Sequence, residues 1–443
     1  MLFKRVDPTK DPIFKSILFL SIPMILEMVA QNIFNLVDMY FVSRIAYQAI
    51  GALVSSSLTI MLLFSVSVGI STATGMYVAS LWGAKEFKKA SLFFSNVILF
   101  VILFGAFLSI VFYIFLSDIV RFVGLEGLTA QYAKEYLSVA SIGFIFNFVF
   151  NLNNSTLRSI SLPSVVLGIM ILSNLLNIVL DPLFIFYFKM GIKGAALSTI
   201  VSVIIGIAIQ FFYLSKNSFY VKLKMKAKVI KKVLKKGIFA SLHLLYRIGS
   251  MLVLIKFVGT ISQEAISSYS VVIRIYQILL FMVFGLANTS FVIVGQNYGA
   301  KNYDRAKSGA FSVILFGILL VGGLNVLIYL FKEPILSVFV ENTEVKRIAE
   351  SVMFFYFISY PFVVASTIAA RSSMALHDTK RPSMVNLVNL WFFMLPLAYI
   401  LQKFYGLDGI WSAIAISNFT SFIANGMILI FNLKRVRDEG FVI

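Results

Sequence analysis

The fold class this sequence predicts is an all-α polytopic membrane protein: twelve transmembrane helices in two six-helix lobes related by a pseudo-two-fold axis along the membrane normal. Three observations predict it. Of 443 residues 60% are hydrophobic and only 13% charged, with a mean hydropathy of +0.93, which is too apolar for soluble domains. Uncharged runs at 97–116, 201–214 and 311–331 approach or reach the roughly 20 apolar residues of a spanning helix and lack the alternation of a β-barrel. The chain also repeats itself: Trp82-Gly-Ala-Lys-Glu-Phe-Lys-Lys-Ala90 returns 216 residues later as Tyr298-Gly-Ala-Lys-Asn-Tyr-Asp-Arg-Ala306.

Apolar runs and their polar breaks define each span in order. The first, 13–43, is interrupted by Pro23 and Asp38 and has no small-residue cleavage site, so it reads as a retained helix and not a signal peptide. The second, 49–80, ends at the Trp82 motif, and the third, 92–116, is almost wholly apolar. The fourth, 134–157, carries Asn147, Asn151 and Asn154. The fifth, 163–188, opens on Pro163 and carries Asn174, Asn177, Asp181 and Pro182, and the sixth, 193–215, follows Gly191-Ile-Lys-Gly194 and carries Thr199. A basic link at 216–236 with nine lysines reads as an amphipathic segment on the anionic cytoplasmic leaflet. The second set then runs 237–258, 265–296, 308–331, 347–374, 382–402 and 408–433. Pro382-Ser383 answers Pro163-Ser164, and Gly406-Leu-Asp-Gly409 answers the Gly191 motif. The lobes are accordingly 1–215 and 237–443. Six spans is an even number, so the copies are parallel repeats, a layout of transporters.

Of 38 Lys and Arg, 26 fall in segments on the side of the N-terminus and ten on the other, with Arg247 and Arg274 inside spans. Both termini are therefore expected in the cytoplasm, in a multi-pass protein of the cell (inner) membrane. There is no cysteine, which rules out disulfides, thiolate metal sites and cysteine nucleophiles. No phosphate-binding Gly-rich loop and no paired metal-spaced histidines occur, so neither an ATP-driven pump nor an enzyme is expected, no cofactor is expected, and transport would draw on an ion gradient.

Few residues inside the spans carry charge. A lipid-facing carboxylate costs about 2.5 to 3.5 kcal/mol, so Glu27, Asp38 and Asp181 should face the interior. On the first span Glu27, Gln31, Asn35 and Asp38 form one polar stripe, and with the Asn faces of the fourth and fifth spans and Thr199 they can line one cavity in the first lobe. The bland alternative for each Asn or Thr is a tie between neighbouring helices, about 0.6 to 2 kcal/mol apiece. The second lobe has no counterpart to the acids, for Leu254 stands opposite Asp38 and His243 opposite Glu27. It brings His243, Arg247 and Arg274 instead, either satisfied interior cations and lipid anchors or an anion-binding wall. Pro23, Pro182, Pro361 and Pro396 each remove a backbone bond and permit a kink.

These residues resemble the multidrug and toxic compound extrusion (MATE) family, through Asn35-Leu-Val-Asp-Met-Tyr-Phe-Val-Ser43, the Trp82 motif with its Tyr298 twin, and Asn177-Ile-Val-Leu-Asp-Pro182. The resemblance covers nearly the whole chain and is nearest the prokaryotic DinF-type branch, whose functional acids lie in the first lobe. It implies a V-shaped pair of lobes with alternating access that exports amphiphilic, often cationic compounds against H+ or Na+. It further implies that Asp38, Asp181, Asn177 and Thr199 form the cation-coupling site and would be the Na+ ligands in a sodium-coupled protein. Gln31, Asn35, Asn151 and Asn154 would line the substrate cavity, and Pro23 is expected as a hinge. Expected partners are small drug-like substrates and membrane lipids, with no nucleic acid, and the chain is expected to act as a monomer. A flippase for lipid-linked oligosaccharide or another lipid, from the same superfamily, is the alternative that Arg247 and Arg274 keep open. A channel would need repeated carbonyl or charge rings, which the one-sided acids do not supply.

Overall fold

The computed structural model describes residues 5–222 and 225–439, except for the side chains at 34, 35 and 439. In an apolar surround every backbone N–H and C=O must be satisfied within the protein, and apolar runs of this length do so by becoming helices. The first repeat is α1 (Ile13–Ser43), α2 (Tyr47–Gly83), α3 (Phe87–Ile114), the short α4 (Leu116–Phe122), α5 (Gly127–Ser159), α6 (Pro163–Pro182) and α7 (Ile192–Lys216). The second is α8 (Ala227–Gly259), α9 (Gln263–Gly299), α10 (Tyr303–Leu330), the short α11 (Lys332–Phe339), α12 (Thr343–Ala375), α13 (Lys380–Asn386) and α14 (Leu395–Glu439). The last apolar run, Lys380–Asp438, has 59 residues. As one helix it would be about 90 Å long, three times the hydrocarbon thickness. Gly406 divides it, at φ 58° and ψ −134°, so the described residues form twelve spans, as predicted. The helices α4 and α11 fall largely where the sequence reading had loops.

The duplication is written in the backbone. Left-handed φ angles recur at Lys85 (60°) and Lys301 (62°), at Ser161 (62°) and His377 (65°), and at Gly191 (57°) and Gly406 (58°). Each pair is a helix end at matching places in the two repeats. Gly194 and Gly409, three residues past the last pair, permit a close backbone approach: a Cβ would come within 2.7 Å of Phe184 in one repeat and 2.3 Å of Leu401 in the other. The kinks expected at Pro182 and Pro396 appear as π-helical turns beside them, at Leu183–Tyr187 and Leu387–Met394. A proline supplies no N–H to its own turn, and the adjoining ladder shifts register.

Packing divides the chain into two compact units: Arg5 with Leu26–Ser241, and Val6–Ile25 with Leu242 onward. The boundaries expected at 215 and 237 are therefore not packing boundaries. The first half of α1 belongs to the second unit, and the basic link with the start of α8 belongs to the first. Nor is the link a separate amphipathic segment. Lys226 to Ala227 passes directly into α8, and the described residues before it, 219–222 and 225–226, form a strap hung on α3. There Tyr220 N–H donates to Ser91 Oγ (3.1 Å), Lys222 N–H to Ser95 Oγ (2.6 Å) and Lys226 N–H to Asn96 Oδ1 (2.7 Å). The buried Phe219 packs on Trp82 and Phe94. Side-chain oxygens on α3 satisfy a backbone that no ladder serves. The second unit holds its own leading segment comparably. Asn297 Nδ2 donates to Pro8 O (3.1 Å), and Arg305 donates to Pro8 O (2.9 Å) and to Asp11 O. The Asp11 carboxylate accepts the Asp7 N–H (2.9 Å) and pairs with Lys15 (3.2 Å), which holds its pKa below the usual carboxylate value.

The first unit contains a buried apolar cluster that includes Val42, Leu53, Phe112, Tyr136, Phe144, Ile185 and Ile192. Burying such side chains against one another fills space that water would otherwise enter. Two of its members, Val42 and Ile185, follow Asp38 and Asp181 by four residues each.

Candidate functional site

The first unit places four predicted residues together. On α6, Asn174, Asn177 and Asp181 follow i, i+3 and i+7, so they share one face, and all three are buried. The α7 helix meets this face with Ser198 and Thr199, and α1 brings the buried Asp38. Asn177 Nδ2 donates to Asp181 Oδ1 at 3.1 Å and reaches Ser198 Oγ at 3.2 Å. The Ser198 hydroxyl bonds the same Asp181 oxygen. Thr199 Oγ1 donates to Asp38 Oδ2 at 3.4 Å while also lying 3.1 Å from Ala195 O. The two carboxyl groups lie close enough to interact electrostatically, with Asn177 beside both.

Three oxygens of the group, Asp38 Oδ1, Asp181 Oδ2 and Asn177 Oδ1, are buried with no hydrogen-bond partner. Leaving buried acceptors unsatisfied is costly. Two carboxylates this close repel unless a proton or a cation stands between them. Oxygens alone make up the donor set, which suits a hard cation or a proton and not a soft metal. No cluster of three or more His, Cys, Asp or Glu occurs among the described residues. The residues present do fit a transient monovalent ion as cargo.

Two members went unnoticed in the sequence. Ser198 adjoins Thr199 and was passed over because Ser in a helix commonly bonds its own backbone, as it does here to Ala195 O (2.8 Å). Tyr136, buried on α5, lies within electrostatic reach of both Asp38 and Asp181. It stands eleven residues before Asn147, on the same helical face, so a signal was there to find.

Two other predicted polar residues, Asn154 and Asn174, bond across to neighbouring helices or segments. Asn154 Oδ1 accepts from Gln210 Nε2 (2.7 Å), and Asn174 Nδ2 donates to Ala30 O (2.8 Å). Asn147 and Asn151 donate to carbonyls one turn earlier on α5, at 3.1 and 2.9 Å. Gln31 is half-buried on α1. The side chain of Asn35 lies outside the described residues. Glu27, whose role the sequence left open, forms an ion pair with Arg158 on the last turn of α5 at 2.5 Å, the carboxylate 2% and the guanidinium 18% exposed. Pro23 sits inside an unbroken α1, two residues before the point at which that helix passes from one unit to the other.

In the second unit Leu254 is buried. His243, expected as a cation, has both ring nitrogens engaged: Nδ1 lies 3.3 Å from Pro382 O, and Nε2 lies 3.2 Å from the Asn386 amide nitrogen. That pattern of one donor and one acceptor describes a neutral imidazole. Arg274 is exposed on α9, as a snorkelling residue would be.

Known proteins share this plan. The MatE family matches residues 23–183 and 240–400, one match in each repeat. A probable multidrug resistance protein, YoeA, of Bacillus subtilis (strain 168) is 25% identical over 418 residues, covering 91% of this chain and 90% of its own length. The multidrug export protein MepA of Staphylococcus aureus (strain NCTC 8325 / PS 47) is 25% identical over 438 residues, covering 96% and 95%. A crystal structure of a MATE protein in a bent conformation superposes with a TM-score of 0.90 at 20% identity over 98% of this chain and 99% of that one. That last likeness speaks for the fold alone.

Proposed function

We infer that this chain, which belongs to the MatE family, is a membrane transporter that exports multiple drugs, and that it does so as a secondary antiporter coupled to H+ or Na+ through Asp38 and Asp181. Relatives that align over nine-tenths or more of both chains are multidrug export and resistance proteins. The observation that carries the coupling site is the buried carboxylate pair with three unpartnered oxygens. A proton or sodium ion entering there satisfies oxygens that are otherwise bare, and Asn177, Ser198 and Thr199 orient the carboxylates to receive it. Substrates would be small, amphiphilic and often cationic, since an anionic interior favours their entry. Both termini and the basic strap would be cytoplasmic, on the charge bias of the loops; Met225→Cys, in a chain with no other cysteine, should resist an impermeant thiol reagent in intact cells.

Coupling requires that ion binding favour one shape of the protein. Pro23 deprives the Phe19 carbonyl of its helix donor, so α1 bends there at little extra energy. Filling the Asp38 and Asp181 site would then change the bend and reshape the cavity of the first unit. Reciprocity follows, at roughly 1.4 kcal/mol for each tenfold change in substrate affinity.

The test is efflux of a fluorescent organic cation from proteoliposomes under an imposed proton or sodium gradient. Gradient-dependent efflux identifies the coupling ion, and efflux indifferent to both gradients would refute antiport. Spin-label distances between the far end of α1 and α6, taken at low and high pH with and without sodium, test the bending. Distances that stay fixed while Asp38 titrates would rule it out.

A further inference from the structure

An arginine taken into a protein interior ordinarily comes with a partner. Here Arg158 has Glu27, and Arg371 donates twice to Asn288 Oδ1, at 3.1 and 3.3 Å. Arg247, at mid-helix on α8, is the exception. Among the described residues it meets no carboxylate and no hydrogen-bond acceptor; its contact is the face of Phe284, with the guanidinium carbon 5.5 Å from the ring centroid. Its surroundings within the second unit are aromatic and cationic. Tyr356 and Tyr360 lie within electrostatic range, as does His243, which is itself also within range of Arg371. His243 is neutral by its two hydrogen bonds, so it neither cancels the charge of Arg247 nor competes for it.

A guanidinium stacked on a ring keeps its N–H donors free around the rim, in the plane where a carboxylate or phosphate binds through two oxygens. Tyr356 adds to this. Its hydroxyl neighbours that of Tyr269. The Tyr360 hydroxyl is already given to Tyr276 O at 3.1 Å. Fixed positive charge, free planar donors and aromatic neighbours thus occur together, with no acid paired to Arg247 among the described residues.

We propose that the second unit contains an anion-binding site centred on Arg247, which takes the carboxylate or phosphate group of an amphiphilic molecule whose apolar body packs on Phe284 and Tyr356. The site is independent of the carboxylate pair in the first unit. The chain therefore accepts anionic or zwitterionic amphiphiles as well as cations, and the anionic group belongs either to a soluble compound or to a lipid headgroup.

The experiment measures binding to the purified full chain in phosphatidylcholine nanodiscs, with no ion gradient, of dansylglycine and of its uncharged amide. Wild type should bind the carboxylate at least tenfold more tightly than the amide. Arg247→Gln should bring that ratio to about one, Arg247→Lys should keep a reduced preference, and Arg274→Gln, at an exposed position, should leave it unchanged. Replacing a third of the lipid by phosphatidylglycerol separates the sources. If dansylglycine is displaced from wild type, the headgroup is the occupant; if it is retained, a soluble anion is. Equal affinity for carboxylate and amide in wild type overturns the site, as does an undiminished preference in Arg247→Gln. If Arg247→Gln does not fold, the Arg247→Lys arm decides by the same ratio. Asp38→Asn should keep the preference while losing gradient-driven efflux, so failure here and failure of the antiport reading remain distinct.

Discussion

The two repeats share a backbone and differ in chemistry. At corresponding helix ends they use the same left-handed residues, at Lys85 and Lys301 and at Gly191 and Gly406. At corresponding mid-membrane positions they use opposite ones. Asp38 on α1 faces Asp181 across a nest of hydroxyls and amides, whereas its counterpart Leu254 is buried and inert. Glu27 ties α1 to α5 by an ion pair, whereas its counterpart His243 ties α8 to α13 through neutral hydrogen bonds. The first unit has an acidic interior and the second a cationic one at Arg247. Duplication conserved what the bilayer demands, which is helices and their ends, and left each interior free to diverge.

That contrast breaks most visibly at the carboxylates. Asp38→Asn and Asp181→Asn should each reduce gradient-driven efflux by about a hundredfold or more at matched expression, since an amide neither releases a proton nor compensates sodium, a loss of at least about 2.7 kcal/mol in coupling. Leu254→Val should transport normally. Full transport by either Asp variant would place coupling elsewhere.

Next in size is the ion pair. Glu27→Leu strands the Arg158 guanidinium and should cost about 3 kcal/mol, the lower end for a buried pair because Arg158 keeps some exposure. Thermal unfolding in detergent measures it. The double variant Glu27→Leu with Arg158→Met should recover most of the loss, and a double variant as unstable as the single would mean the pair contributes by something other than charge.

Ser198→Ala removes one hydroxyl from Asp181, a hydrogen bond to an ionisable group worth about 1.5 to 3 kcal/mol. The ion concentration giving half-maximal efflux should shift about tenfold with little change in maximal rate. An unshifted ion dependence would relegate Ser198 to packing.

The smallest effect sharpens the comparison from the other side. His243→Leu removes neutral hydrogen bonds, each worth about 1 kcal/mol, so its stability loss should be well below that of Glu27→Leu, with transport intact. A loss equal to that of Glu27→Leu would show that the imidazole carries charge after all.

Sequence by itself determined the class, the twelve spans and the duplication, because hydrophobic length and helix-ending residues act locally and the bilayer leaves a chain few alternatives. It also singled out Asp38 and Asp181, since a carboxylate among apolar residues stands out wherever the helix later packs. Tertiary structure decided the rest. Whether Asn154 lines a cavity or ties to Gln210, whether Glu27 is bare or paired with Arg158, and whether His243 is charged or neutral all depend on the facing side chain of a helix distant in sequence. The strap formed by residues 219–222 and 225–226 was unreadable for the same reason: its lysines advertise a membrane surface, while its backbone is held by Ser91, Ser95 and Asn96 on α3. A residue type states what a side chain can do, and only the packed neighbour determines which of those options is used.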